Sequence, residues 1–173
     1  MTTQDIRIGA LDLEVGALVV YGSHGIGRVS SRKAEAGGSS RSATVVLEFS
    51  SGLSVILPLE RARACLRPLA GVIELDDVRA ALRARNVPIE QSWRNRSKSA
   101  RSKISAGEAV GLAEVVRDST RRRRELQGST LSPAEQDLYK QARQLLAAEL
   151  GVVAELEESE AETWIDDQLD LGR

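Results

Sequence analysis

The sequence predicts an α+β protein: a small N-terminal β-barrel followed by a compact C-terminal bundle of four or five helices. Three observations carry this expectation. Up to Pro68 the chain is a series of short β-branched or alternating runs separated by Gly/Ser turns. Beyond Pro68 apolar residues recur at helical spacing behind capping signatures. Charge is also segregated. From Arg79 to Arg124 there are thirteen Lys/Arg against four Asp/Glu, a local balance of +9, and from Glu125 to the C-terminus three against twelve, or −9. The first 78 residues are nearly neutral, so the formal net charge of −1 conceals a basic segment and an acidic one.

In the N-terminal part, Leu18-Val19-Val20-Tyr21 reads as a strand closed by Gly22-Ser23-His24-Gly25, and Ile26-Gly27-Arg28-Val29 resumes it. Ala36 to Ser40 reads as a flexible loop. Thr44–Phe49 and Leu53–Leu57 flank Ser50-Ser51-Gly52, a hairpin turn. Several short strands in about fifty-five residues point to a strongly bent barrel of the SH3 or Tudor kind, within a domain spanning 13–68. Alternation sends Val45, Leu47, Phe49, Leu53, Val55 and Leu57 to the core and Val46, Glu48, Ser54 and Ile56 to the opposite face. Two β-branched apolar residues on an outer face are either ordinary surface or a sheet surface that docks a partner strand. Tyr21 and Phe49 are expected in the core, and His24 as a local hydrogen-bonding residue of its turn.

The second domain, 69–170, is expected to be helical. Glu74–Arg85 forms a helix that ends before Asn86-Val87-Pro88, and another runs from about Glu90 to Ile104. Ser105-x-x-Glu108 reads as the capping box of a third helix reaching about Gln127. Ser132-Pro133-x-Glu135 opens a fourth that ends at Gly151, and Ser159-x-x-Glu162 suggests a short fifth. Val110 or Leu112, with Ala113 and Val116, supply core positions in the third helix; Leu138, Ala142, Leu145, Leu146 and Glu149 fall at helical spacing in the fourth. Trp164, near Ile165 and Leu169, is expected to pack the last helix onto the bundle.

Composition argues against chemistry. With 42% hydrophobic and 28% charged residues the chain can build a core in the ordinary soluble range. His24 is the only histidine and Cys65 the only cysteine, so neither a His/Cys metal cluster nor an internal disulfide can form within one chain. No phosphate-binding Gly-Lys-Ser/Thr loop, nucleophile elbow or dinucleotide fingerprint is present. The expectation is a non-enzyme without cofactor or metal. With no signal-peptide pattern and no apolar run of membrane-spanning length, it is expected to be soluble and cytoplasmic, with no membrane partner.

The basic segment contains Trp93-Arg94-Asn95-Arg96-Ser97-Lys98, in a chain of only five aromatic residues. Cations engage phosphates, and a flat ring can stack on a base or wedge beside one, so this run is a candidate nucleic-acid contact. The alternative is that Trp93 covers the bundle core. Arg121 to Arg124 wrap around a helix, so at most two of them can face one partner; the others are expected to be solvated or paired with Glu125 or the acidic tail.

Three segments together resemble a known family. They are Val15-Gly16-x-x-Val19-Val20-Tyr21-x-x-His24-Gly25-Ile26-Gly27-x-Val29, then Trp93-x-x-Arg96-x-Lys98, then Ala113-Glu114-Val115-Val116-Arg117-Asp118. The first is similar to the opening of the RNA-polymerase-interacting domain shared by the CarD proteins and the transcription–repair coupling factor. The other two resemble the helical domain of CarD itself. The resemblance covers about Leu13 to Leu150. It implies a bacterial transcription regulator whose Tudor-like domain binds the RNA polymerase β subunit by strand-to-strand contact. Its helical domain would reach the upstream edge of the transcription bubble, where a tryptophan packs into the distorted minor groove and stabilises the open promoter complex.

Carried over by position, Trp93 matches the wedge, and Arg96 and Lys98 match neighbouring phosphate contacts. Arg94 is an addition, and Arg122, with Arg121 beside it, falls where the family has a basic residue facing DNA. Ile56 matches a strand position that some members use to grip the polymerase, and Val46, Glu48 and Ser54, which alternation places on the same face, join it as polymerase-facing candidates. The chain departs from the family pattern at Gly22, where a proline is common, and at Ile56 and Glu35, where some members are basic. Recognition of promoter DNA through phosphates and a groove step would be largely sequence-independent. A second reading from a different class is a protein–protein adaptor of the transcription machinery that does not touch DNA.

Overall fold

The computed structural model describes residues 13–33, 43–69, 72–127 and 129–172, with side chains left aside at 72 and 73. The expected loop at Ala36–Ser40, Glu35 and Gly128 lie outside the described residues. The chain divides into two compact units between Gly71 and Val72.

The first unit is an antiparallel sheet of β1 (Leu18–Val20), β2 (Ile26–Lys33), β3 (Thr44–Phe49) and β4 (Ser54–Pro58), in that spatial order, followed by a short helix α1 (Leu59–Cys65). A 3₁₀ turn, Gly22–His24, joins the first two strands. Alternation separates two faces as the sequence implies. Val45 pairs with Leu57 and Leu47 with Val55, and these join Val19, Val29 and Phe49 in the core. Leu53 departs from expectation: it precedes β4 in the turn and is exposed. Gly27 lies opposite Phe49, and a Cβ there would stand 2.9 Å from the phenyl ring, so the ring needs a bare backbone beneath it.

Two expectations for this unit need correction. Its described strands form an open sheet rather than a closed barrel, without hydrogen bonding between β1 and β4. The reason is local. β4 ends at Pro58, which has no N–H for a ladder, and the chain turns into α1. It regains β1 only at Arg67, which exchanges two backbone hydrogen bonds with Val20, at 2.9 and 3.0 Å. The unit is also not all β. α1 buries Leu59 and Ala62 against the sheet, and Leu66 follows them into the same core.

The second unit contains α2 (Val72–Arg83), α3 (Trp93–Ala106), α4 (Ala109–Glu125), α5 (Pro133–Val153) and α6 (Glu158–Leu171), giving six helices among the described residues of the chain. α4 is central and packs on α2, α3 and α5, while α6 lies against α2 and α5. Leu112, Ala113, Val115 and Val116 of α4 meet a core that includes Val78, Leu82, Ile104, Ala142, Leu146 and Ile165. Ser132 and Glu135 form the expected capping box, with Pro133 in the first turn of α5. The box at Ser105 does not form. α3 continues to Ala106, Gly107 ends it in the left-handed region at φ 68°, and Glu108 becomes the residue before α4. At α6 the box is formed by Glu157 and Glu160 rather than by Ser159 and Glu162.

Candidate nucleic-acid interface and strand face

The first turn of α3 is assembled from its own entry segment. Ser92 caps the helix, its Oγ accepting from the Asn95 N–H. The Glu90 carboxylate accepts from Ser92 N–H at 2.8 Å and from the Asn95 amide, and these hydrogen bonds hold its pKa below the usual 4.5. Trp93 is therefore the first helical residue, and it is 41% exposed.

Helical spacing then sorts the segment into stripes. Trp93, Ser97, Ala100 and Ile104 descend one side, reaching the core at Ile104, which is buried. Arg94, Lys98 and Arg101 stand on the adjacent side at i, i+4 and i+7, and all three are exposed. Arg101 donates to Ser97 Oγ at 3.3 Å. Among the described residues neither Arg94 nor Lys98 is drawn into an ion pair. Arg101 belongs to this stripe by helical spacing, a signal that the Trp-x-x-Arg-x-Lys run stops short of.

The other predicted cations behave differently. Arg96 donates from Nη1 to the carbonyls of Glu90 and Gln91, at 2.9 and 2.6 Å, and from Nη2 to Glu135 Oε1 at 2.9 Å. Arg121 donates to the Val87 carbonyl at 2.7 Å. Arg122 approaches Glu125 at 3.8 Å, and its Nε is buried with no hydrogen-bond partner among the described residues. Arg123 lies over the Tyr139 ring and Arg124 pairs with Asp170 at 2.9 Å. The four consecutive arginines thus leave α4 in four directions, as a 100° step per residue requires. Arg122 and Trp93 line one groove of roughly 100 Å³ between α3, α4 and α5, floored by Ala100, Val115 and Leu138.

On the first unit, Val46 pairs with Ile56 and Glu48 with Ser54, so all four predicted residues share one face of β3–β4. Ile56 is 68% exposed on an edge strand, while Val46 is half-buried. Arg28 pairs with Glu48, which puts a cation on the same face, and it also donates to the Gly16 carbonyl at 3.1 Å. The strand register reveals Arg28; alternation within one hairpin could not.

No helix among the described residues is long and apolar enough to cross a membrane, and no His/Cys/Asp/Glu group there could hold a metal ion. Two family models match the chain. The CarD-like/TRCF RID domain matches residues 13–70 and the CarD C-terminal domain matches residues 77–166. With both halves matched in order, the chain belongs to the CarD family, a family of non-enzymatic transcription regulators that interact with RNA polymerase.

Proposed function

We propose that the protein is a cytoplasmic bacterial transcription regulator that binds the RNA polymerase β subunit and stabilises the promoter open complex. In this reading residues 13–68 are the polymerase-binding domain and 69–170 the DNA-binding domain. The observation that carries it is Trp93, exposed at the first turn of α3 beside the cation stripe of Arg94 and Lys98. Arg101 extends that stripe. Arg122 joins from α4 across the groove it shares with Trp93, whereas Arg96 and Arg121 contribute mainly by shaping the surface.

Opening a duplex leaves an unstacked step, and a ring placed there offsets part of a cost of a few kcal/mol. An aromatic–base contact is worth about 1–3 kcal/mol. A ligand that binds the open state better shifts the equilibrium by that difference and no more, so about 1.4 kcal/mol is a tenfold change in open-complex population. The candidate contacts reach phosphates and a groove step, so promoter choice would come from polymerase and from how easily each bubble opens. On the first unit, Ile56 and Val46, with Glu48 and Ser54 around them, form the face offered to a strand of the β subunit.

The test is the lifetime of open complexes with the native chain and with Trp93→Ala. The wedge reading expects the native protein to lengthen the lifetime and the variant not to, with both still bound to the β subunit. Equal lifetimes would make Trp93 structural. One observation favours the adaptor reading instead: Arg96, Lys103, Arg117 and Arg124 are already held in internal ion pairs. An adaptor would show no affinity for duplex DNA even at low salt, whereas a DNA-binding protein would show it and lose it steadily with log[salt].

A further inference from the structure

We propose that Glu135 is a positioning residue which, through Arg96, fixes where the Trp93 ring stands. The inference rests on the wedge reading and deepens it by naming a residue outside the basic segment.

Trp93 occupies the first position of its helix, the part most prone to fray. A ring meant to enter one distorted base step has to be held closely in place by its supporting groups. Arg96 is one turn further on, and its guanidinium grips the two carbonyls of Glu90 and Gln91, just ahead of Trp93. The same guanidinium reaches Glu135, 39 residues away on α5. Glu135 is itself fixed. Its Oε2 accepts from Ser132 N–H at 3.1 Å and from Ser132 Oγ at 2.8 Å, while Oε1 faces Arg96. One carboxylate therefore ties the start of α3 to the start of α5.

Both side chains of the pair are mostly shielded, at 18% and 16% exposure, so water competes weakly for the contact. A cation near a helix N-terminus is opposed by the helix dipole, and a carboxylate close by offsets that. The rigid guanidinium fork, engaged at three oxygens, also fixes direction as a lysine could not. A phosphate contact at Arg96 would have to compete with all three acceptors. Glu135, Arg96 and Trp93 line the same groove, so the pair stands beside the ring it is inferred to hold.

The test uses the full chain carrying Trp164→Phe, which leaves Trp93 as the one tryptophan of the two in the sequence. Glu135→Gln keeps a side chain able to complete the capping box and removes the charge. The expected result is greater quenching of Trp93 fluorescence by acrylamide and an open-complex lifetime that falls toward that of Trp93→Ala. The slope of log affinity against log[salt] for duplex DNA stays at the parent's value. Arg96→Gln breaks the pair from the other side and should give the same three results. The proposal is overturned if Glu135→Gln leaves quenching and lifetime unchanged. It is also overturned if Arg96→Gln reduces the salt slope by about 0.9, the mark of one lost phosphate contact, without loosening the ring. If Glu135→Gln loosens the ring but Trp93→Ala leaves the lifetime unaltered, the positioning role stands and the wedge reading fails.

Discussion

Arg143 and Asp166 form a two-pronged pair, Nη1 to Oδ1 at 2.7 Å and Nη2 to Oδ2 at 2.9 Å, that joins α5 to α6. The Asp166 hydrogen bonds, against the opposing effect of burial, hold the guanidinium protonated more firmly than in water. Four further contacts repeat the theme: Arg79 over Trp164, Arg83 to Gln168, Arg85 to the Leu171 carbonyl and Arg124 to Asp170. α6, the last helix of the acidic segment, is thus packed in place, held by arginines of the basic segment and of α5.

Asp166→Asn should therefore lower stability by about 1 kcal/mol, a modest figure because Asp166 itself is largely exposed. The measurement is urea unfolding followed by amide exchange, with faster exchange confined to α6. Uniform acceleration across the bundle would mean that the pair supports the whole fold rather than the docking of one helix.

How far the sequence carries is visible in particular residues. The Ser132–Glu135 box is legible because both partners lie within one helical turn. The face formed by Val46, Glu48, Ser54 and Ile56 follows from alternation alone. α1 is not legible, since seven residues behind Pro58 give barely two turns of periodicity. Ser105 looks like a cap, but Gly107 can adopt the left-handed conformation and so ends α3 there. Least legible are partners far apart in the chain. Arg117, only 4% exposed, pairs with Asp118 and donates to the Ala81 carbonyl at 3.0 Å. In the sequence it is one more cation of a basic segment, as is Arg96.

The Arg96–Glu135 pair should leave a signature at acid pH. Burial raises the Glu135 pKa, but the hydrogen bonds from Arg96 and Ser132 outweigh it, and the folded value lies below 4.5. A depressed carboxyl pKa stabilises the fold above the unfolded value, and that stabilisation is lost as pH falls through the folded one. Stability of the native chain should thus decline more steeply below about pH 4.5 than that of Glu135→Gln. Parallel acid limbs in thermal unfolding would show that the pair does not contribute.

Gly27→Val should destabilise the first unit by about 1–3 kcal/mol, the usual cost of overpacking a filled core. The Phe49 ring stands 2.9 Å from the position of the new Cβ and would have to move. Polymerase binding should fall with the fraction folded, and duplex DNA affinity should be unchanged if the helical unit carries it.

Lys98→Gln and Arg94→Gln should each reduce the salt slope of DNA binding by about 0.9 and weaken all duplex sequences equally. Neither residue holds an ion pair among the described residues, so folding should stay within about 0.5 kcal/mol of the parent. Titrations at several salt concentrations on two unrelated duplexes read both quantities. A slope that does not change, or an effect confined to one sequence, would remove the stripe from the interface.

The strand face offers the sharpest separation of binding from stability. Ile56 is 68% exposed and pairs with half-buried Val46, whereas Leu47, one residue along β3, is fully buried on the other face. Ile56→Asp places a charge where a partner strand would meet an apolar side chain, yet it removes little from the protein's own core. Binding to the polymerase β subunit should fall at least about tenfold, equivalent to about 1.4 kcal/mol, with unfolding shifted by no more than about 0.5 kcal/mol. Leu47→Ala should do the reverse, costing about 2–5 kcal/mol of stability and lowering binding only through the loss of folded protein. Paired measurements of β-subunit affinity and urea midpoint distinguish the two. If Ile56→Asp binds as tightly as the native chain, β3–β4 is not the docking face, and the contact must be sought elsewhere on the first unit.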